Sequence, residues 1–142
     1  MTSNSIAVRI GMAALVIAAG AACGSDPVSE PTPFVTSVTA SIAPGQSGTS
    51  GPFDFTGTVT ATGAMTVTYR WELSDGTLQD VQVMQFGAPG SLPTTYQYSP
   101  TPKFCLGADQ VMWARLNVLG PNVIASANVS FTRKCLAIVP RT

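Results

Sequence analysis

The sequence predicts an all-β protein, an antiparallel sandwich of about seven short strands. Three observations predict it. The stretch Met65 to Leu73 alternates strictly, with Met65, Val67, Tyr69, Trp71 and Leu73 on one side and Thr66, Thr68, Arg70 and Glu72 on the other. That period of two, carried by β-branched and aromatic residues, marks a half-buried strand. Short runs of the same kind recur along the chain, separated by Gly, Pro, Ser and Thr turn signals. Beyond the N-terminal leader, no segment carries a helical period.

The chain has 142 residues, enough for one domain with its own core. Charged residues make up 10% of it, against a usual value of about 25%. From Cys23 onward there are six Lys or Arg and seven Asp or Glu, a formal balance of −1. No basic stripe is present, so nothing points to nucleic acid or to electrostatic attraction by an anionic membrane. There is no histidine. Ser-His and Cys-His nucleophilic catalysis and imidazole metal sites are therefore out of reach.

Residues 1–22 have the form of a signal peptide. A polar start with Arg9 leads into an uninterrupted run of apolar and small residues, Ile10 to Ala22. At 13 residues this helix is too short for ~30 Å of hydrocarbon but suits a secretory leader. Ala19-Gly20-Ala21-Ala22-Cys23 then resembles the lipobox of bacterial lipoproteins, in which the cysteine becomes the diacylated first residue. Ala21, Ala22 and Cys23 match that pattern, and Gly20 departs from it, because a leucine-like residue is usual there. Ordinary secretion after an Ala-x-Ala site and an uncleaved anchor are the other readings. Gly24 to Phe34 contains Pro27, Pro31 and Pro33, which exclude a helix and favour extended backbone. Residues 23–34 thus read as a lipidated cysteine and a Pro-rich tether. In polyproline geometry that tether would reach roughly 30 Å.

Residues 35–142 form the sandwich domain. Val35 to Ile42 is the first strand, and the Gly/Ser/Thr/Pro segment 44–52 is a loop. Phe53 to Thr62 alternates again and passes through a short hairpin, Gly63-Ala64, into the central strand. Ser74-Asp75-Gly76 ends that strand. Asp75 and Asp80 flank the next loop; they read as turn residues, since Ca²⁺ wants six to eight oxygens. Asp80 to Phe86 is the fourth strand. Leu92 to Ser99 is the fifth, placed at a sheet edge by Pro93. Asp109 to Leu119 and Asn122 to Arg133 are the last two, joined at Gly120-Pro121.

With that junction as the centre of the turn, Met112 faces Val129, Ala114 faces Ala127, Leu116 faces Ala125 and Val118 faces Val123. All eight are apolar, as a shared core face requires. The same register brings Cys135 opposite Leu106, next to Cys105, with a bend at Gly107 correcting the parity. In an exported chain this pair is expected to be oxidised. The disulfide Cys105–Cys135 is the predicted staple.

Tyr69-Arg70-Trp71 with Ser74-Asp75-Gly76 resembles the Tyr-x-Trp…Asp-Gly signature of immunoglobulin-like and PKD-like β-sandwich domains of bacterial surface proteins. Ser50-Gly51-Pro52-Phe53 and the following Phe55 to Ala61 are similar to the preceding strand in actinobacterial Ig-like domains. Those domains often carry a cysteine where Phe53 stands here, paired with one near the end of the last strand, which Cys135 matches. Without the first cysteine, Cys105 is left as partner. The resemblance spans roughly residues 35–135. It implies an Ig-like sandwich acting as an adhesive, spacer or recognition module, without choosing among them.

The expected protein is therefore a non-catalytic lipoprotein on the extracytoplasmic face of a bacterial membrane, without cofactor or metal. Its anchor is the lipid on Cys23, and its partner is an unidentified protein or glycan rather than nucleic acid. A purely structural spacer is the second reading. Trp113 is expected on the outward face of its strand, covering the sheet beneath Arg70 or Arg115. Alternatively it joins Tyr96, Tyr98 and Phe104 in an exposed recognition patch. Trp71 is expected to be buried against Phe55 or Val59 and Leu116.

Overall fold

The computed structural model describes residues 29–101 and 105–137. The chain divides into two units, Met1–Glu30 and Pro31–Thr142. Of the first, only Ser29 and Glu30 are described, and both are exposed. The predicted leader, Cys23 and most of the tether lie outside the described residues, as does Phe104.

The second unit is an antiparallel β-sandwich. Its strands are β1 (Val35–Ile42), β2 (Phe53–Ala61), β3 (Met65–Leu73), β4 (Gln82–Phe86), β5 (Gly90–Tyr98), β6 (Gln110–Gly120), β7 (Ile124–Ala125) and β8 (Val129–Arg133). One sheet has the order β1-β2-β5. The other runs β4-β3-β6, with both β7 and β8 pairing β6.

Both sheets turn one parity inward, as the alternation predicts. Phe53, Phe55, Val59 and Ala61 from β2 meet Val67, Trp71 and Leu73 from β3 and Met112, Ala114, Leu116 and Val118 from β6. Trp71 is fully buried: it pairs with Leu116 across the sheet, and its ring lies 5.8 Å from that of Phe55. Phe53 fills the core, with its ring 4.7 Å from that of Phe131.

Three expectations about connection and register need correction. Gly63-Ala64 is not a hairpin within one sheet: β2 and β3 lie in different sheets, so the turn carries the chain across the sandwich. The last strand is broken into β7 and β8, and neither keeps the predicted register. Val118 pairs with Ile124 instead of Val123, and Ala114 with Val129 instead of Ala127. Two causes act in sequence. The turn centres on Pro121, one step later than expected. Then Ser126 is buried, its hydroxyl accepting the Leu116 amide at 3.0 Å and donating to the Ala127 carbonyl at 2.9 Å. One extra residue is accommodated there as a bulge, which turns Val129 and Phe131 inward and leaves Val123 exposed. Finally, the tether ends earlier than Phe34. The Phe34 amide donates to the Thr62 hydroxyl at 3.0 Å, and the Thr62 amide donates to the Phe34 carbonyl at 3.0 Å, so Phe34 already belongs to the sandwich.

The two ends of the sandwich differ. At the end where the chain enters, the connections 62–64, 87–89 and 121–123 are three residues each. Asn122 latches this end by accepting the Val35 amide at 2.7 Å and donating to its carbonyl at 2.9 Å. The opposite end carries the long connections 43–52, 74–81 and 99–109, together with the segment following β8. There Cys105 and Cys135 form the predicted disulfide, with Cα atoms 4.7 Å apart. Gly107 supplies the bend beside it, at φ +103°.

Candidate functional site

The polar residues of the long-loop end are occupied in holding it. Asp75 accepts the Thr77 amide at 2.9 Å, closing the turn, and the hydroxyl of Tyr98 at 2.5 Å, which ties β5 to the end of β3. Partial burial pushes the Asp75 carboxyl up, but these hydrogen bonds outweigh it and hold the group below its ordinary value. Burial, and then the bond to Asp75, push the Tyr98 phenol far upward. Asp54 accepts Gln46 at 2.6 Å and Gln97 at 2.8 Å, and those bonds lower its pKa. The Ser47–Thr49 segment covers the open edge of β8: Gly48 donates to the Thr132 carbonyl and Lys134 to the Thr49 carbonyl, each at 2.7 Å. A recess of about 190 Å³ beside the disulfide is lined by Ser50, Cys105, Lys134, Cys135 and Leu136. Among the described residues, no carboxylate lines it. Among the described residues, no group of three His, Cys, Asp or Glu side chains is placed to hold a metal ion.

Among the described residues of the predicted aromatic patch, Trp113 does not join Tyr96 and Tyr98. Tyr96 and Tyr98 face inward from β5; Tyr96 stacks on Trp71 at 6.2 Å and Tyr98 on Phe53 at 6.3 Å. Trp113 lies on the outer face of the other sheet. The alternation of β5 was readable, but nothing in it said which parity faced the core. The other expectation for Trp113 holds: it is half-buried, and the Arg115 guanidinium carbon sits 5.3 Å from its ring centroid.

The two outer faces differ in chemistry. On the first sheet the cross-strand rows are Ser41-Thr56-Thr95, Thr39-Thr58-Pro93 and Ser37-Thr60-Ser91. Several of these hydroxyls satisfy one another, as Ser41 with Thr56 and Thr60 with Ser91, both at 2.8 Å. On the second sheet, Glu72 accepts the Arg115 guanidinium at 2.9 Å and the Asn117 amide at 2.9 Å. The Arg115 hydrogen bond dominates in lowering the Glu72 pKa. The exposed valines of this sheet are Val83 opposite Thr68 and Val111 opposite Thr132, with Val81 just before β4; they are 60%, 80% and 53% exposed. Arg70 stands in the row of Asn117, and Val81 immediately precedes Gln82, the β4 residue paired with Tyr69. The sequence reading missed this face. Met84 and Phe86 are bulkier than Val83 and Gln85, and that difference signals which side of β4 faces the core.

Comparison with known proteins finds no match: no family model matches the sequence, and neither does any curated protein or solved structure.

Proposed function

We propose that the protein is a non-catalytic, lipid-anchored module of a bacterial envelope, an Ig-like domain carried on Cys23 and used to bind a protein or glycan. The observation that carries this reading is the difference between the ends of the sandwich. The chain enters at the end closed by three-residue connections. The long loops lie at the opposite end of the same domain, and they and its sheet faces are the surfaces open to a partner. The absence of histidine, together with the structural tasks of Asp54, Glu72 and Asp75, supports a non-catalytic role. One observation favours the spacer reading: the first sheet's outer face is small and hydroxyl-bearing, without a large apolar contact residue.

The anchor is tested on the full chain made in a bacterial host. The wild-type protein should partition into the detergent phase, with an intact mass that carries diacylglycerol on Cys23. Cys23→Ala should move it to the aqueous phase. An unmodified N-terminus beginning downstream of residue 20 would overturn the lipid anchor.

A further inference from the structure

We infer that the outer face of the β4-β3-β6 sheet is a docking surface for a protein partner that presents a carboxylate side chain, flanked by apolar side chains, to Arg70. This rests on the binding-module reading above and assigns it a surface and a partner chemistry.

The argument begins with Arg70. Its side chain leaves β3 on the outward parity, shared with Thr68 and Glu72. Among the described residues its guanidinium makes no hydrogen bond or ion pair, and its Nε is buried without a partner. Glu72 attracts it electrostatically but makes no hydrogen bond to it, because that carboxylate is held by Arg115 and Asn117. Arg70 is thus a planar cation whose donors fit a carboxylate in two-point geometry. The same face pairs the Glu72 anion with Arg115, so Arg70 leaves it with a net charge of +1 among these three groups. The complement of that charge is an acidic side chain.

The surroundings of Arg70 indicate a protein as the bearer of the acid. On β4, Val83 is paired with Thr68, two residues before Arg70 on the same face of β3, with exposed Val81 just ahead of that strand, and Val111 stands farther along on β6. Aliphatic groups around an arginine are the composition of a protein interface, where apolar contacts exclude water from a central charged pair. A sugar would ask for an open aromatic ring, and the nearby Trp113 has its face taken by Arg115. On the outer face of the other sheet, Asp54 already accepts hydrogen bonds from Gln46 and Gln97, and the rows around Thr58 are mostly hydroxyl-bearing.

The test uses the full chain in cells that produce it naturally. A photo-crosslinking amino acid replaces Val83 in one version and Thr58, on the opposite outer face, in another. Val83 should yield adducts to a protein, joined at peptides containing Asp or Glu. Arg70→Gln should lower their yield at least about tenfold, as expected when one member of a buried charge pair is truncated, while Arg70→Lys should retain part of it. Val81→Ser, which leaves the charge in place, should also weaken the adducts. Unchanged thermal unfolding of each variant shows that the fold is intact. Adducts from Val83 that persist in Arg70→Gln, or adducts to polysaccharide, overturn the inference. Adducts from Thr58 alone overturn it while leaving the binding-module reading standing. Adducts from neither position overturn the inference too, and leave the long loops as the surface for a binding module.

Discussion

A Cβ at Gly57 would lie 2.6 Å from Leu116 Cδ2, 3.0 Å from Trp71 Cζ2 and 3.1 Å from the Thr39 carbonyl. Gly57 is thus where β2 lets the indole approach, and the backbone oxygen on the far side leaves little room to yield. Gly57→Ala should destabilise the domain by about 1–3 kcal/mol, and Gly57→Val by more, measured by urea unfolding. In the sequence this glycine looked like one more member of an alternating strand. The Leu116 side chain and the indole packed over it explain its absence of a side chain. Asp75 makes a second prediction. Its folded pKa lies below the ordinary 3.8, so the folded state binds its proton less readily than the unfolded chain does. The stability it contributes is full above that value and is lost as pH falls through the folded pKa. Tyr98 acts in the opposite sense: its raised pKa means that stability present below the ordinary 10.0 is lost as pH rises above it. Stability should therefore fall at both extremes. Asp75→Asn should flatten the acid limb, as thermal unfolding across pH 2 to 6 would show.

Strand β3 was legible to the residue because its alternation is uninterrupted and Ser74-Asp75-Gly76 stops it. Its parity, and that of β6, fix a contrast between the two tryptophans. Trp71 is sealed between the sheets, whereas Trp113 covers the outside of one and carries Arg115 on its ring. Truncating a buried Trp costs about 3–5 kcal/mol, a large part of the roughly 5–15 kcal/mol that holds a domain together. Trp71→Ala should therefore unfold the domain or nearly so. Trp113→Ala should cost ~1 kcal/mol, the scale of an exposed cation–π contact with some lost packing. Equal losses in denaturant unfolding would contradict the burial. The β6–β8 pairing was only half legible. Apolar alternation identified the inward residues of β6, but a turn centre one residue off and the hydroxyl of Ser126 substituting in the ladder shifted every partner. Alternation constrains faces; register depends on turn geometry and bulges, and both depend on single polar residues that the pattern treats as filler.

At the scale of the whole molecule, periodicity could not say which sheet each strand joins. Gly63-Ala64 links alternating runs equally well within a sheet or across the sandwich. The ties that settle the matter join residues far apart in sequence: Thr94 donates to the Tyr69 hydroxyl at 2.9 Å, and Tyr98 donates to Asp75 at the end of β3. The inward turn of Tyr96 and Tyr98 follows from that closure, and it removes them from any surface patch. The cysteine pair was legible because the rough register needed only to bring two chain ends together. The bridge closes a loop around β6, β7 and β8, with a sequence separation of 30. That loop holds the strand at the centre of the larger sheet and both strands that pair with its outer edge. Opening it restores freedom to the unfolded chain while leaving most folded contacts in place. The loop-entropy model puts the loss at about 3–4 kcal/mol. Cys135→Ser should therefore lower the unfolding midpoint strongly, and Cys105→Ser by a similar amount, because the same loop is opened from either end. The double variant should be no worse than the single ones, since there is only one bridge to lose. Additive losses in the double variant would show that the two side chains support the fold by packing instead of by their covalent link.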